Sequence, residues 1–473
     1  MSYQKKAHAR SERGQAIIII VVGIVGLLAF AGLMADGGIL FIQYSRLKRA
    51  TDAAAVSAAL QYREGYTPTE LYGAAAEFVQ LNQLTAYNII VDTCETEPLL
   101  CTSPRRKLVR VTVSMDVDFG FLPILGIDGT TIRTSATGEA ASVDVVLVID
   151  TSASMAFEGG GDPNRADDPA DDPAACNPSN CHPFEEIKAV AVEFVKTLYF
   201  PYDRVSIVAL TSQTPDGVRD PSLVLPINAT EGMTAAQAEL TVVNALNNMK
   251  VYQPPVCDPP NPTSGPCLNY DVDTGDYIGQ ECLRYRLGPD GEADTGDEGD
   301  PSSCTSSNIG GGLRIAGNEF ARPPIREESL WVVIVLTGGP ANASDPDMPS
   351  FPYGYCPATT WVQPFCRDAD AASRHASGSA HYDADDYARD MADFVADPEN
   401  GQGAVVFSIG LGSLIRNAPA GDPDAGEILL QYTALEAGGV NANHGEYYFA
   451  PGPAELREVF RRIAENIATR ITQ

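Results

Sequence analysis

The sequence predicts an α/β fold: a doubly wound parallel sheet with long disulfide-stapled insertions, preceded by a transmembrane helix and a small α+β spacer. Three observations predict it. Residues 143–149 form a mostly β-branched apolar run that stops at Asp150, the pattern of a strand buried on both faces. Similar short runs recur at 205–210, 331–336 and 405–409, separated by helical patterns, which is how strands and helices alternate in a doubly wound sheet. Residues 16–35 carry no charge, and twenty residues in a helix cover about 30 Å, one hydrocarbon thickness.

In chain order, residues 1–15 read as a cytoplasmic tail with Lys5, Lys6, Arg10 and Arg13, and 16–42 as the transmembrane helix, since the apolar run resumes after Asp36. A cleaved signal peptide is disfavoured by the length of the run. Residues 43–65 form an Ala-rich membrane-proximal helix, with Leu47, Ala50, Ala54, Ser57 and Ala58 close to one face, where small side chains let another helix approach. Residues 66–141 predict the spacer: a helix over 69–84, alternation at Val109, Val111 and Val113, and a strand over 131–137. Residues 119–127 are apolar, and packing in a core is favoured over contact with lipid.

Residues 142–473 predict the main domain. Ile187, Val190, Ala191, Phe194, Val195 and Leu198 make a helical stripe, and the chain closes on a helix begun by Pro453 with Leu456, Val459, Phe460, Ile463, Ile467 and Ile471 on one face. Insertions at about 158–183, 250–304 and 340–380 should leave the same edge of the sheet and crown it.

Charge and cysteine usage narrow the function. The 473 residues carry a formal charge of −30, but residues 1–50 hold seven Lys or Arg against two acids, which leaves about −35 for the rest. Such a surface repels nucleic acid and anionic membranes and favours basic partners or divalent cations. All ten cysteines lie beyond residue 93 as close neighbours: Cys94 with Cys101, Cys176 with Cys181, Cys257 with Cys267, Cys282 with Cys304, Cys356 with Cys366. No Cys-x-x-Cys occurs, so disulfides in an oxidising compartment are expected, sequential pairing being the simplest of many connectivities. That places the N-terminus in the cytoplasm and the main domain outside.

No H-E-x-x-H, G-x-S-x-G or phosphate-loop motif is present, and His8, His182, His375, His381 and His444 are scattered, so no enzyme is expected; a metal-dependent hydrolase is the least favoured reading. Asp150, Ser152 and Ser154 are hard oxygen donors at the C-terminal end of a predicted central strand, where open α/β sheets bind ligands. They suit a small octahedral cation such as Mg2+, the alternative being a polar turn with Ser152 or Ser154 capping the next helix. Asp271, Asp273, Asp276 and Glu281 only partly match a helix-loop-helix calcium pattern, and the loop acids from Asp290 to Asp300 read as solvated.

At D-T-S-A-S-M the chain resembles the D-x-S-x-S signature of the metal-ion-dependent adhesion site in von Willebrand factor type A domains, and Y-Y-F-A-P-G-P-A-E-L-R-E-V-F-R-R-I-A resembles their close. The resemblance spans about 143–473 and implies a hydroxyl ligand from a second loop, here S-N-I-G-G-G-L, at Ser307. It implies an Asp from a third loop, L-T-D-G, which here reads L-T-G-G, so Gly338 stands where the family has Asp. Asp345 and Asp347 are near enough in sequence to substitute. The implied cofactor is Mg2+, or Mn2+ or Ca2+, and the implied partner is a protein or extracellular matrix ligand.

Residues 13–60, with R-G-Q-A and the Ala-rich helix, resemble the N-terminal segment of TadE/TadG-like proteins of tight-adherence (Flp) pilus assembly, implying other pilus-assembly proteins as membrane partners. Prepilins carry Glu five residues beyond the processing Gly, and counting from Gly14 this chain has Ile19, which argues against a cleaved pilin-like subunit. The competing expectation is a structural scaffold of an envelope or pilus complex with no metal-dependent binding.

Overall fold

The computed structural model describes residues 13–62, 66–82, 87–156, 181–211, 213, 221–252, 256–257, 267–273, 277–281, 307–345, 373–377, 379, 382–417 and 425–471. They fall into two compact units, residues 1–102 with 106–140, and residues 103–105 with 141–473.

The first unit is built on α1 (Arg13–Leu60), one unbroken helix of 48 residues. Its N-terminal part is apolar all round and exposed, long and hydrophobic enough by composition to cross a membrane. Its C-terminal part is amphipathic in a different way. Leu47, Ala50, Thr51, Ala54, Ala55, Ala58 and Ala59 are buried, and they pack on α2 (Pro68–Leu81) and on an antiparallel sheet of β1 (Asn88–Asp92), β2 (Lys107–Asp118) and β3 (Gly129–Ala140). The small residues thus admit both a helix, α2, and the sheet, so the Ala-rich segment and the spacer form one unit. Gly138 explains the close approach, because a Cβ there would lie 2.3 Å from the Ala55 carbonyl oxygen. The Thr51 and Thr134 hydroxyls bond at 2.6 Å across the same contact. Val109, Val111 and Val113 alternate inward along β2, as their spacing predicts.

The second unit is a mixed α/β body around a six-stranded sheet. Its order is β11 (Tyr447–Ala450), β10 (Val405–Leu411), β9 (Leu330–Thr337), β4 (Val143–Ile149), β5 (Arg204–Ala209), β6 (Ser222–Leu225). Every pairing is parallel except β5 with β6. Side chains alternate between two cores. Val143, Val145, Leu147 and Ile149 meet α3 (Phe184–Val195), α4 (Ala235–Asn248) and α8 (Pro453–Ile471). Val146 and Val148 meet α5 (Ile309–Phe320), α6 (Ala384–Ala396) and α7 (Ala425–Leu435). Burial on both faces is why these strands are apolar throughout rather than alternating.

One charge interrupts that pattern. Asp144, fully buried in β4, receives Arg204 Nε at 3.0 Å and is also paired with Arg326, whose Nη1 donates to the carbonyls of Tyr202 and Arg105. This Arg–Asp–Arg staple lies at the start of β4, opposite the strand end that carries Asp150.

Of the insertions, a hairpin of β7 (Cys267–Tyr270) and β8 (Tyr277–Glu281) is described. The Cys94–Cys101 disulfide is formed, and Cys257 is disulfide-bonded. Cys181 is buried. Cys176, Cys282, Cys304, Cys356, Cys366 and the side chain of Cys267 lie outside the described residues, as do most of the three insertions and the acids 290–300.

Candidate metal centre at the sheet rim

β4 ends where its ladder to the neighbours ends, with Asp150 N–H donating to the Leu336 carbonyl at 2.9 Å. The Asp150 side chain is fully buried at the C-terminal rim. Its Oδ1 accepts the Ser152 N–H at 2.8 Å, which folds the loop back on itself. Its Oδ2 accepts the Ser307 hydroxyl at 3.1 Å, the Thr337 hydroxyl at 2.7 Å and the Gly338 N–H at 3.1 Å. The Ser307 and Ser152 hydroxyl oxygens are 3.2 Å apart. Three chain segments therefore converge on one carboxylate: the loop after β4, the residue before the Asn308 cap of α5, and the end of β9.

Ser307 is available for this because it is not the helix cap. Asn308 caps α5, its side-chain oxygen accepting the Gly311 N–H at 2.8 Å. Ser307 is held from behind by Asn342, whose Oδ1 accepts its N–H at 2.7 Å. Gly310 and Gly312 let α5 pack closely on α6 and on the sheet. A Cβ on Gly310 would meet the Tyr387 ring at 2.5 Å, and one on Gly312 would meet Leu210 Cδ2 at 2.4 Å.

Asp345 does not take the place left by Gly338. Its Oδ1 accepts Asn308 Nδ2 at 3.1 Å, and its Oδ2 accepts Arg314 Nε and the Tyr387 hydroxyl, each at 2.6 Å. A guanidinium and a buried phenol compete for its charge, so it braces the start of α5 instead. Burial, with the Asp345 charge next, pushes the Tyr387 phenol well above its ordinary range. Asp347 and the Ser154 side chain lie outside the described residues. Thr337 is the member of the cluster that sequence reasoning missed; its signal was its place beside Gly338 in L-T-G-G.

A second acidic group also escaped sequence reasoning. Asp383, Asp385 and Asp386, all buried at the start of α6, bring ligand-type oxygens within 4.8 Å of one another. Asp383 and Asp386 are explained by a capping box, which satisfies the first N–H groups of the helix. Asp386 is raised to about 6 by burial, against which the His375 N–H works by donating to its carboxylate. Asp385 is raised well above the ordinary carboxylate range by burial and then by the Asp383 charge, with Arg389 Nε 3.6 Å away.

The donor set around Asp150 fits a small hard cation. It offers one carboxylate and three hydroxyls, and cis oxygens around Mg2+ at 2.0–2.1 Å would be about 3 Å apart, close to the spacings here of 3.1 and 3.2 Å. The set holds a single carboxylate, to which Gly338 contributes an N–H donor.

No family model matches the sequence, and no curated protein matches it either. Among solved structures the fold is similar to the PilB minor pilin from Streptococcus sanguinis, at 12% identity over 81% of this chain and 79% of that one, with a TM-score of 0.36. It is similar to the pilus adhesin SpaC from Lactobacillus rhamnosus GG, at 12% identity, 82% and 35% coverage and a TM-score of 0.36. It is also similar to BatB from Bacteroides thetaiotaomicron, at 13% identity, 69% and 100% coverage and a TM-score of 0.30.

Proposed function

We propose that this chain is a membrane-anchored, extracytoplasmic adhesion or assembly protein of tight-adherence pilus type. Its α/β unit is read as a von Willebrand type A domain that binds a protein or matrix partner at the rim around Asp150. The observation that carries the reading is the meeting of Asp150, Ser152, Ser307 and Thr337 at the end of the central strands, from segments far apart in sequence. The apolar part of α1 supports the anchor, and the Cys94–Cys101 disulfide supports an oxidising environment for the chain beyond that helix.

Asp150, with the hydroxyls of Ser152, Ser307 and Thr337, would hold a divalent cation, which when bound offers an open position to a partner's carboxylate. The residues do the positioning. Gly338 N–H and Thr337 fix the Asp150 carboxylate, and Asn342 fixes Ser307. With one formal charge in the donor set, affinity for the cation is modest, and the acidic surface beyond residue 50 favours basic groups on the partner around the contact. No covalent chemistry is assigned to the site.

A second reading has its own support. Both Asp150 oxygens already accept protein donors, so the carboxylate can act as a hub that ties the β4 and β9 loops to α5 without any ion, in a scaffold protein. Calorimetric titration of the full chain in detergent with Mg2+ and Mn2+ separates the two. Saturable binding lost in Asp150→Ala supports the first; heat no greater than dilution, with folding intact, leaves the scaffold.

A further inference from the structure

We infer that the loop between β2 and β3 dips into the lipid bilayer beside α1, so that the protein holds the membrane by a helix and a wedge together. This rests on reading α1 as membrane-spanning. Residues 119–127 run F-G-F-L-P-I-L-G-I, and they are turned outward instead of into a core: Ile124 is 84% exposed and Leu125 72%, with Phe121 and Ile127 exposed as well. An apolar patch of this kind in water needs a cover.

Its place on α1 says what the cover is. The Phe121 side chain lies over Gly32, where an added Cβ would be 2.9 Å from Phe121 Cβ. Gly32 is about 5 Å inside the C-terminal end of the uncharged run 16–35, at a rise of 1.5 Å per residue. The loop therefore lies level with the last turn of the uncharged run, within the segment 16–42, and the neighbouring Leu33 and Met34 are themselves exposed. One turn on, Asp36 is buried and accepts the N–H groups of Gly120 at 2.7 Å, Phe121 at 3.0 Å and Leu122 at 2.8 Å. The one charge near the end of the apolar run is thus spent on the loop backbone.

Four more N–H groups of the loop are bonded within it. Phe119 donates to Asp128, Ile124 to Phe121, Gly126 to Pro123 and Ile127 to Leu122, at 3.0–3.2 Å. A loop facing water could leave such groups to solvent; one facing lipid must satisfy them internally. Asp118 and Asp128, exposed at either end, limit how deep it goes.

Tryptophan depth measurement tests this. The full chain, reconstituted in phosphatidylcholine vesicles with and without brominated acyl chains, is compared as Ile124→Trp, Leu28→Trp and Thr137→Trp, subtracting the emission of the parent protein. Thr137 is exposed toward the far end of β3, paired with Arg110. The expected result is quenching of the added emission in Leu28→Trp and Ile124→Trp, at least twofold greater than in Thr137→Trp. Quenching in Leu28→Trp with Ile124→Trp no more quenched than Thr137→Trp overturns the wedge and leaves the span. If Leu28→Trp also escapes, the span reading fails and the wedge with it. Ile124→Trp shielded from aqueous acrylamide but not quenched by bromolipid assigns the loop to a protein contact and also overturns it.

Discussion

Ser307 Oγ and Asp150 Oδ2 lie 3.1 Å apart although 157 residues separate them in the chain. The contact joins the end of the central strand to the start of α5. If it serves a cation, Ser307→Ala should weaken Mn2+ binding about tenfold or more, read by calorimetry. If it is only a hydrogen bond, the same change should cost about 1 kcal/mol of stability and nothing else.

Gly338→Asp gives a sharper contrast. A second carboxylate beside Asp150 should raise divalent affinity at least tenfold, because each anionic ligand strengthens binding of a hard cation. Without a cation the same change sets two carboxylates together in a buried place, so the melting temperature should fall, and added Mg2+ should restore it. Loss of stability that Mg2+ does not relieve would count for the scaffold reading.

Asp144→Ala should be among the most damaging single changes, costing about 3–5 kcal/mol in denaturant unfolding, since it strands two buried guanidinium groups. Cation binding at the opposite strand end should survive under conditions where the variant is folded.

Gly310→Ala should destabilise by about 1–3 kcal/mol despite the better helix propensity of alanine, as the new methyl would press on the Tyr387 ring and the Ala388 backbone. A neutral or stabilising result would mean that α5 sits less tightly on α6 than described.

Asp386 sets a pH dependence. Its carboxyl is raised from an ordinary 3.8 to about 6, so the folded chain holds this proton more tightly than the unfolded one. Its contribution is fully present below about pH 3.8 and is lost as pH rises through about 6. Asp386→Asn should gain stability relative to the parent protein across that window, read as the difference in urea midpoints; a constant difference from about pH 4 to 7 would refute the assignment.

Much of the sheet was legible because its strands are buried on both faces: residues 143–149 and 405–409 have no polar face to blur the pattern. Val109, Val111 and Val113 were legible for the opposite reason, a clean alternation. β6 was not, since four residues at an antiparallel edge, most of them half-buried, leave little periodicity. At the rim, Asp150, Ser152 and Ser307 were readable as oxygen donors in a recognisable order. What sequence could not supply was competition: that Arg314 and Tyr387 claim Asp345, or that Asp144 in an apolar run has two arginines waiting for it. The Ala face within residues 43–60 takes the helix α2, as its small side chains suggest, and β3 as well, while the exposure of residues 119–127 ran against expectation because an apolar loop fits either surroundings.

The unbroken course of α1 from Arg13 to Leu60 makes it a shaft about 72 Å long. The half that packs on β3 cannot pivot on the half that is apolar all round. A thicker or thinner bilayer, to which such a helix adjusts by changing its angle, would swing the β1–β3 unit as a lever rather than leave it upright.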